Sequence, residues 1–155
     1  MNKIHFKFAT PEQSPGFLLW QTTIIWQYLI KKSLEKYNIS HAQFVIMALL
    51  LSLDKQKKEI TQSNVTKISK LDKMTISKSL KKLVKLKLVK RYENEKDARA
   101  KTVFLTPIGK KLICKLIPMV ENIDFIFFEK LKSKEQSDLI KILQKLTADK
   151  ASKKQ

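Results

Sequence analysis

DKMTISKSLKKLVKLKLVKR, residues Asp72 to Arg91, is the stretch whose reading decides the fold. Read as a helix, it places Ile76, Leu80, Leu83, Val84 and Lys87 on one side at 3.6-residue spacing, and all but the last are apolar. That side is predicted to be buried. The opposite side carries Thr75, Lys78, Lys81, Lys82 and Lys85, with Met74 among them. Asp72 or Thr75 can cap the start, because a short side-chain oxygen accepts a hydrogen bond from an orphan N–H of the first turn. The product is a short helix with an apolar back and a cationic, hydroxyl-bearing front. Such a front suits a DNA major groove, where Lys meets phosphates and guanine edges and Thr or Ser reaches bases or phosphates. An isolated Lys-rich helix is more often a solvated basic face, so the neighbouring sequence has to decide.

Length and composition narrow the class. A chain of 155 residues is expected to form one domain, and at that size burial of roughly 68–70% of the unfolded surface gives a real core. Two glycines and four prolines argue for a mainly helical fold over a loop-rich β fold. One cysteine excludes an internal disulfide framework and fits a reducing compartment. No stretch reaches the roughly 18 apolar residues of a membrane span, and the N-terminus lacks a signal-peptide core, so a cytoplasmic protein is expected. The net charge of +18 is unevenly placed: residues 1–54 carry +2, 55–101 carry +11 and 102–155 carry +5. A field focused on the middle third attracts a polyanion. Arginine occurs only at Arg91 and Arg99, in a chain that otherwise uses lysine, which marks two sites where a planar guanidinium fork is wanted.

Upstream, residues 1–13 read as an arm. Ser14-Pro15 starts a helix that is predicted to run to about Tyr37, where Asn38 stops it. Phe17, Leu18, Trp20, Ile24, Ile25, Tyr28, Leu29 and Leu34 cover more than one narrow face of that helix, so part of it should meet a second partner. Ser40-x-x-Gln43 is a capping box opening an apolar core helix. Residues 59–61 could form a very short strand. Thr61 then caps a helix with Val65 and Ile68 turned inward, and a tight turn at Leu71-Asp72 leads into the stretch quoted above. Two short helices joined by a turn form the helix-turn-helix arrangement.

Downstream, Leu88–Tyr92 and Lys101–Leu105 each read as a strand, with ENEKDARA between them as a polar tip. A β-hairpin directly after a recognition helix is a wing. Asp97 and Arg99 fall on one side of an extended chain, so the carboxylate can hold the guanidinium extended. An arginine at a wing tip suits the negative minor groove; the alternative is a surface ion pair worth roughly 0–1 kcal/mol. Glu93, Glu95 and Asp97 alternate as solvated acids do, more than as a metal set. Thr106-Pro107 begins a helix to about Lys130, which Pro118 should kink or interrupt. Ser133-x-x-Gln136 is a further capping box, opening a last helix to about Ala148 with Leu139, Ile142, Leu143 and Leu146 in one stripe. A polar tail follows.

The segments Thr61-Gln62-x-x-Val65, Met74-Thr75-Ile76-Ser77-Lys78, Leu86-Lys87-Leu88-Val89-Lys90-Arg91, Asp97-x-Arg99 and Leu105-Thr106-x-x-Gly109 stand together in order. The set resembles the MarR (multiple antibiotic resistance regulator) family of bacterial transcription factors over roughly residues 15–147. The resemblance implies a mainly α fold: a winged helix-turn-helix with a small hairpin wing over residues 40–106, flanked by dimerisation helices at 14–38 and 107–148. It implies a homodimer whose two winged regions read a pseudo-palindrome in double-stranded DNA. It also implies a DNA-contacting set of Ser63, Thr75, Ser77, Lys78, Lys81, Lys82, Lys96, Asp97, Arg99 and Lys101. Two positions depart from the family's pattern. Lys78 stands where Arg is frequent, and cannot make a rigid bidentate fork. Lys87 stands where Gly is usual before the wing strand, and is expected at positive φ. Many relatives of this kind release DNA when a small amphipathic ligand binds; Trp20, His41 and Phe44 are the expected contacts here, against a reading of all three as core. Cys114 reads as a packed thiol.

The leading expectation is therefore a dimeric, sequence-specific transcriptional regulator, a repressor. The alternative is a basic winged-helix scaffold that binds RNA or a protein partner. Two histidines, one cysteine, no glycine-rich phosphate loop and no metal-ligand spacing leave an enzyme unsupported, and no metal or cofactor is expected.

Overall fold

The computed structural model describes residues 7–55, 60–93 and 101–148. In these segments the order is α1 (Pro15–Leu34), α2 (His41–Lys55), α3 (Gln62–Ser69), α4 (Lys73–Lys85), β1 (Val89–Glu93), β2 (Lys101–Leu105), α5 (Pro107–Phe128) and α6 (Ser133–Thr147). The chain divides into two compact units, Met1–Val120 and Glu121–Gln155. None of the helices described is long and apolar enough to cross a membrane. Lys96, Asp97 and Arg99 of the wing tip, with Glu95, lie outside the described residues.

The local signals act as chemistry requires. Ser14 Oγ accepts from the Phe17 N–H at 3.4 Å, with Pro15 opening α1. The helix becomes a 3-10 turn over Glu35–Tyr37, and Asn38 ends it with a left-handed backbone at φ 55°. Ser40 and Gln43 form a reciprocal box at 2.9 and 3.2 Å, and Thr61 and Asn64 form another at 3.0 and 3.2 Å. Thr106 Oγ1 accepts from the Gly109 N–H at 3.0 Å as α5 begins.

The core of the first unit gathers Ile30 and Leu34 of α1, Ile46, Met47 and Leu50 of α2, Val65 of α3, and Ile76, Leu80 and Leu83 of α4. Val89, Val103, Ile113 and Leu116 complete it. Burying one such side chain is worth about 1.5–3 kcal/mol. The strands pair antiparallel with Val89 opposite Leu105 and Arg91 opposite Val103. Val89, Val103 and Leu105 therefore share the buried face, and Arg91 and Lys101 continue it toward the tip. An isolated bridge from Thr61 to Thr102, with Val103 N–H donating to Ile60 O at 2.8 Å, ties the start of α3 to β2. This bridge is what the short-strand expectation at 59–61 becomes; Glu59 itself lies outside the described residues.

Several expectations need correction. Val84 is 40% exposed, and Ser79 takes its place in the buried arc of α4. A small hydroxyl lets the helix approach its neighbours closely there. Ile68 is 48% exposed because α3 has only two turns, and Val65 fills its covered side. Pro118 does not interrupt α5. Pro118 and Cys114, whose carbonyl loses its helical donor, are both exposed, so water can replace the missing bond. Cys114 is accordingly a surface thiol and not a packed one. At α6 the cap sits one residue earlier than expected. The Lys132 N–H donates to the Glu135 carboxylate at 2.7 Å, while Gln136 Nε2 donates back to the Phe128 and Leu131 carbonyls at 3.0 Å.

Lys87 has φ 58°, as the family resemblance, with its usual glycine at this position, leads one to expect. Around it, Lys87 N–H donates to Val84 O at 2.9 Å and Leu88 N–H to Leu83 O at 3.0 Å, the paired bonds of a Schellman helix end. Gly109 packs against this end so closely that an added Cβ would overlap the Leu88 carbonyl oxygen. Gly109→Ala should therefore destabilise the protein by roughly 1–3 kcal/mol, seen as a thermal midpoint several degrees lower. Lys87→Gly should raise it, by under about 1 kcal/mol once the greater unfolded freedom of glycine is set against the relieved strain. A midpoint unchanged in both variants would show that this junction does not limit stability.

Candidate nucleic-acid interface

Helix α4 begins with a hydrogen-bonded cap that also prepares its front. Asp72 Oδ1 accepts from the Thr75 N–H at 2.8 Å, and Asp72 Oδ2 accepts from the Thr75 hydroxyl at 2.6 Å. The Thr75 hydroxyl bond, then the Thr75 backbone bond, hold the Asp72 carboxyl below its ordinary value. With its proton committed to Asp72, the half-exposed Thr75 oxygen keeps only acceptor capacity, which suits an exocyclic amine of adenine or cytosine.

The helix then presents three exposed sectors around its buried arc. Met74, Lys78, Lys81 and Lys85 are spaced to form the centre of the outward side, and all four are exposed, Met74 at 66%. One flank, with Lys73 and Ser77, joins a groove of about 610 Å³ that also takes in Gln62, Ser63, Thr66 and Lys67 of α3 and Arg91 and Lys101 of the hairpin. The other flank carries Lys82, whose Nζ donates to Asn38 Oδ1 at 3.3 Å. Lys82 lines a separate cavity of about 740 Å³ with Tyr28 and Lys31 of α1, Ser40 and His41 at the start of α2, and Leu71.

The sequence-predicted DNA contacts thus separate. Thr75, Lys78 and Lys81 stand on or beside the outward side; Ser63, Ser77 and Lys101 meet in the groove; Lys82 turns to the other cavity. Of the expected ligand contacts, His41 alone lines that cavity. His41 sits edge-on to Trp26 at 5.1 Å and tilted to Phe44 at 6.5 Å. Phe44 is 8% exposed, a core position, whereas Trp20 is 60% exposed and stacks on Phe17 at 5.9 Å. The groove residues Lys67, Lys73 and Arg91 were outside the expected set. Only the scarcity of arginine pointed to Arg91. Among the described residues, no group of three or more His, Cys, Asp or Glu gathers as a metal set.

A capped, cationic helix held between a second short helix and a β-hairpin defines a winged helix-turn-helix DNA-binding protein. A family model described as the ArnR1-like winged-helix domain matches residues 35–122. The HTH-type transcriptional regulator YdcH of Bacillus subtilis is 34% identical over 131 residues, covering 84% of this chain and 89% of the relative. The structure of a MarR transcriptional regulator from Methanosarcina mazei superposes with a TM-score of 0.71 at 27% identity, over 84% of this chain and 91% of that one. Bordetella bronchiseptica BpsR, whose DNA binding is regulated by 6-hydroxynicotinic acid, shares the fold with a TM-score of 0.80 at 24% identity, over 94% of this chain and 99% of its own. The chain belongs to the MarR family of winged helix-turn-helix transcriptional regulators and is a DNA-binding regulator.

The Asp72 cap gives a test with a defined sign. Its carboxyl titrates lower when folded than when unfolded, so its stabilising contribution is complete above the ordinary value of 3.8. That contribution disappears as pH falls through the folded value. Asp72→Ala should lower the thermal midpoint near neutral pH, and Asp72→Asn, which keeps an acceptor for the Thr75 N–H, should lower it less. The gap between wild type and Asp72→Asn should close on acidification. A gap constant with pH would rule out the ionised cap.

Proposed function

We propose that the protein is a homodimeric transcriptional repressor of the cytoplasm that acts by binding alone. In this reading each protomer lays α4 in a major groove of a pseudo-palindromic operator and sets its wing against the adjoining minor groove. The observation that carries the reading is the outward side of α4, where exposed Met74, Lys78, Lys81 and Lys85 run in a row along the helix, with the acceptor oxygen of Thr75 near its start. The residues expected to contact DNA are the set read from the sequence, with Arg99 at the wing tip and Asp97 as its orienter.

Dimerisation is supported by apolar surface that the single chain leaves uncovered. Leu18, Leu19, Trp20, Ile24, Ile25, Tyr28 and Leu29 of α1 are 38–60% exposed. In the second unit, Phe125, Ile126, Ile140, Ile142 and Leu146 are 51–71% exposed. Contiguous surface of this kind marks an interaction site, and helices 14–38 and 107–148 are the proposed dimerisation segments. An effector would enter the cavity beside His41, where its acidic or phenolic group would compete with Asn38 for Lys82 and so act on α4 directly.

With 6–10 phosphate contacts, affinity for operator DNA should fall roughly 10³–10⁵-fold from 50 to 200 mM salt. Footprinting of the DNA upstream of its own gene should show two half-sites about one helical turn apart. Ile25→Glu should convert a dimer to monomers in sedimentation and weaken operator binding by at least tenfold. Salt-insensitive association, equal affinity for duplex RNA, or a wild-type monomer would each count against this function.

A further inference from the structure

The groove between α3, α4 and the hairpin collects cations from three elements. Lys67 comes from α3, Lys73 from the first turn of α4, and Arg91 and Lys101 from β1 and β2. All four are exposed, and none of the described residues lining the groove is acidic. Ser63 and Ser77 add two hydroxyl donors on its walls. Gln62 adds a buried Oε1 with no hydrogen-bond partner, an acceptor able to orient an ammonium or guanidinium.

The strand register explains how Arg91 gets there. It lies opposite Val103 on the hairpin face that is buried at Val89, Val103 and Leu105. Just past the edge of the core, that face has no apolar neighbour left to meet. A long cationic side chain at this position projects over the starts of α3 and α4. Water screens the repulsion among these exposed like charges only in part, and an anion seated between them would relieve the rest.

We propose that this groove seats a backbone phosphate of the bound duplex, with Arg91 supplying the fork that grips it. The proposal rests on the DNA-binding reading and deepens it: α4 is then held in register from one flank by a contact from the hairpin strands, in addition to any contact made by Arg99. Arg91 is a positioning residue here, since phosphate contacts fix orientation and carry no sequence information. Its planar fork grips two phosphate oxygens at once, which lysine cannot do.

A mixed-sequence DNA duplex is a sufficient probe, because the contact does not depend on the operator. Association constants are measured over a range of salt for the wild type, Arg91→Ala, Arg91→Lys and Lys111→Ala, the last removing one exposed charge of α5 outside the groove. Arg91→Ala should bind roughly tenfold more weakly at low salt, and its log–log slope should be shallower by about 0.9. Arg91→Lys should keep the slope and lose part of the affinity, and Lys111→Ala should behave as wild type. Wild-type slope and affinity in Arg91→Ala would overturn the proposal. So would a slope lost as fully in Arg91→Lys as in Arg91→Ala, which would mark a structural role for the guanidinium. Failure of the wild type itself to bind with a salt-dependent slope would instead defeat the DNA-binding reading.

Discussion

The geometry of the interface depends on one junction, the end of α4. There Leu88 N–H reaches back to Leu83 O while Lys87 adopts a left-handed backbone. The Thr106 hydroxyl then donates to the Lys87 carbonyl at 2.7 Å, with the Leu88 carbonyl at 3.2 Å, and the Thr106 N–H donates to Leu88 O at 3.0 Å. Gly109 leaves room for that carbonyl at the start of α5. Four elements, α4, β1, β2 and α5, therefore share a few backbone atoms. A rotation of α4 at this end would break the Schellman bonds and the Thr106 contacts together, so helix and hairpin present their cations as one surface.

The junction also shows what a glycine-poor chain accepts. Left-handed positions fall on Asn38, Lys70 and Lys87, and no glycine among the described residues has positive φ. Each lysine at such a position costs about 1–2 kcal/mol of backbone strain. What it adds is a charge in the most basic part of the chain. Between residues 60 and 92 the sequence holds ten Lys and Arg and one acid, Asp72. That acid is placed where its charge is useful to the fold, since it accepts from the first turn of α4 and from Thr75. Its two oxygens are both engaged by Thr75, which limits the repulsion it would offer a nearby phosphate.

Features set by local chemistry were legible in the sequence. The caps at Ser14, Ser40 and Thr61, the stop at Asn38 and both strands each follow from a side chain and its neighbours within a few residues, whereas the positive φ of Lys87 was legible only through the family resemblance, which puts glycine there. Features set by packing direction were not. Periodicity places Val84 and Ser79 at either edge of the same buried arc, and only the neighbours of α4 decide that Ser79 goes in. The same holds for Ile68, whose spacing is that of a core residue on a helix too short to be covered on that side. The site divided in the same way. A lysine's position on a helix wheel locates its Cα, but its long stem can reach either flank, and Lys82 reaches Asn38. The sequence pattern alone also could not assign Arg91, because the register that carries it past Val103 belongs to the hairpin as a whole.

These placements bear on how a chain this basic could discriminate among sequences. Lysine is a point charge that neutralises phosphates wherever they are, so most of the +18 field contributes affinity and approach, with little selectivity. Selectivity has to come from the few groups on α4 that are not plain cations. Thr75 offers an acceptor fixed by its bond to Asp72, Ser77 offers a hydroxyl, and Met74 offers an exposed apolar surface of the sort that fits a thymine methyl. On the proposed function, so few groups able to read bases on one chain would leave a single half-site poorly distinguished from the surrounding genome. Two copies held rigidly at a fixed spacing would square that modest preference, and this is the physical advantage that the proposed dimer, formed through the exposed apolar face of α1, would bring.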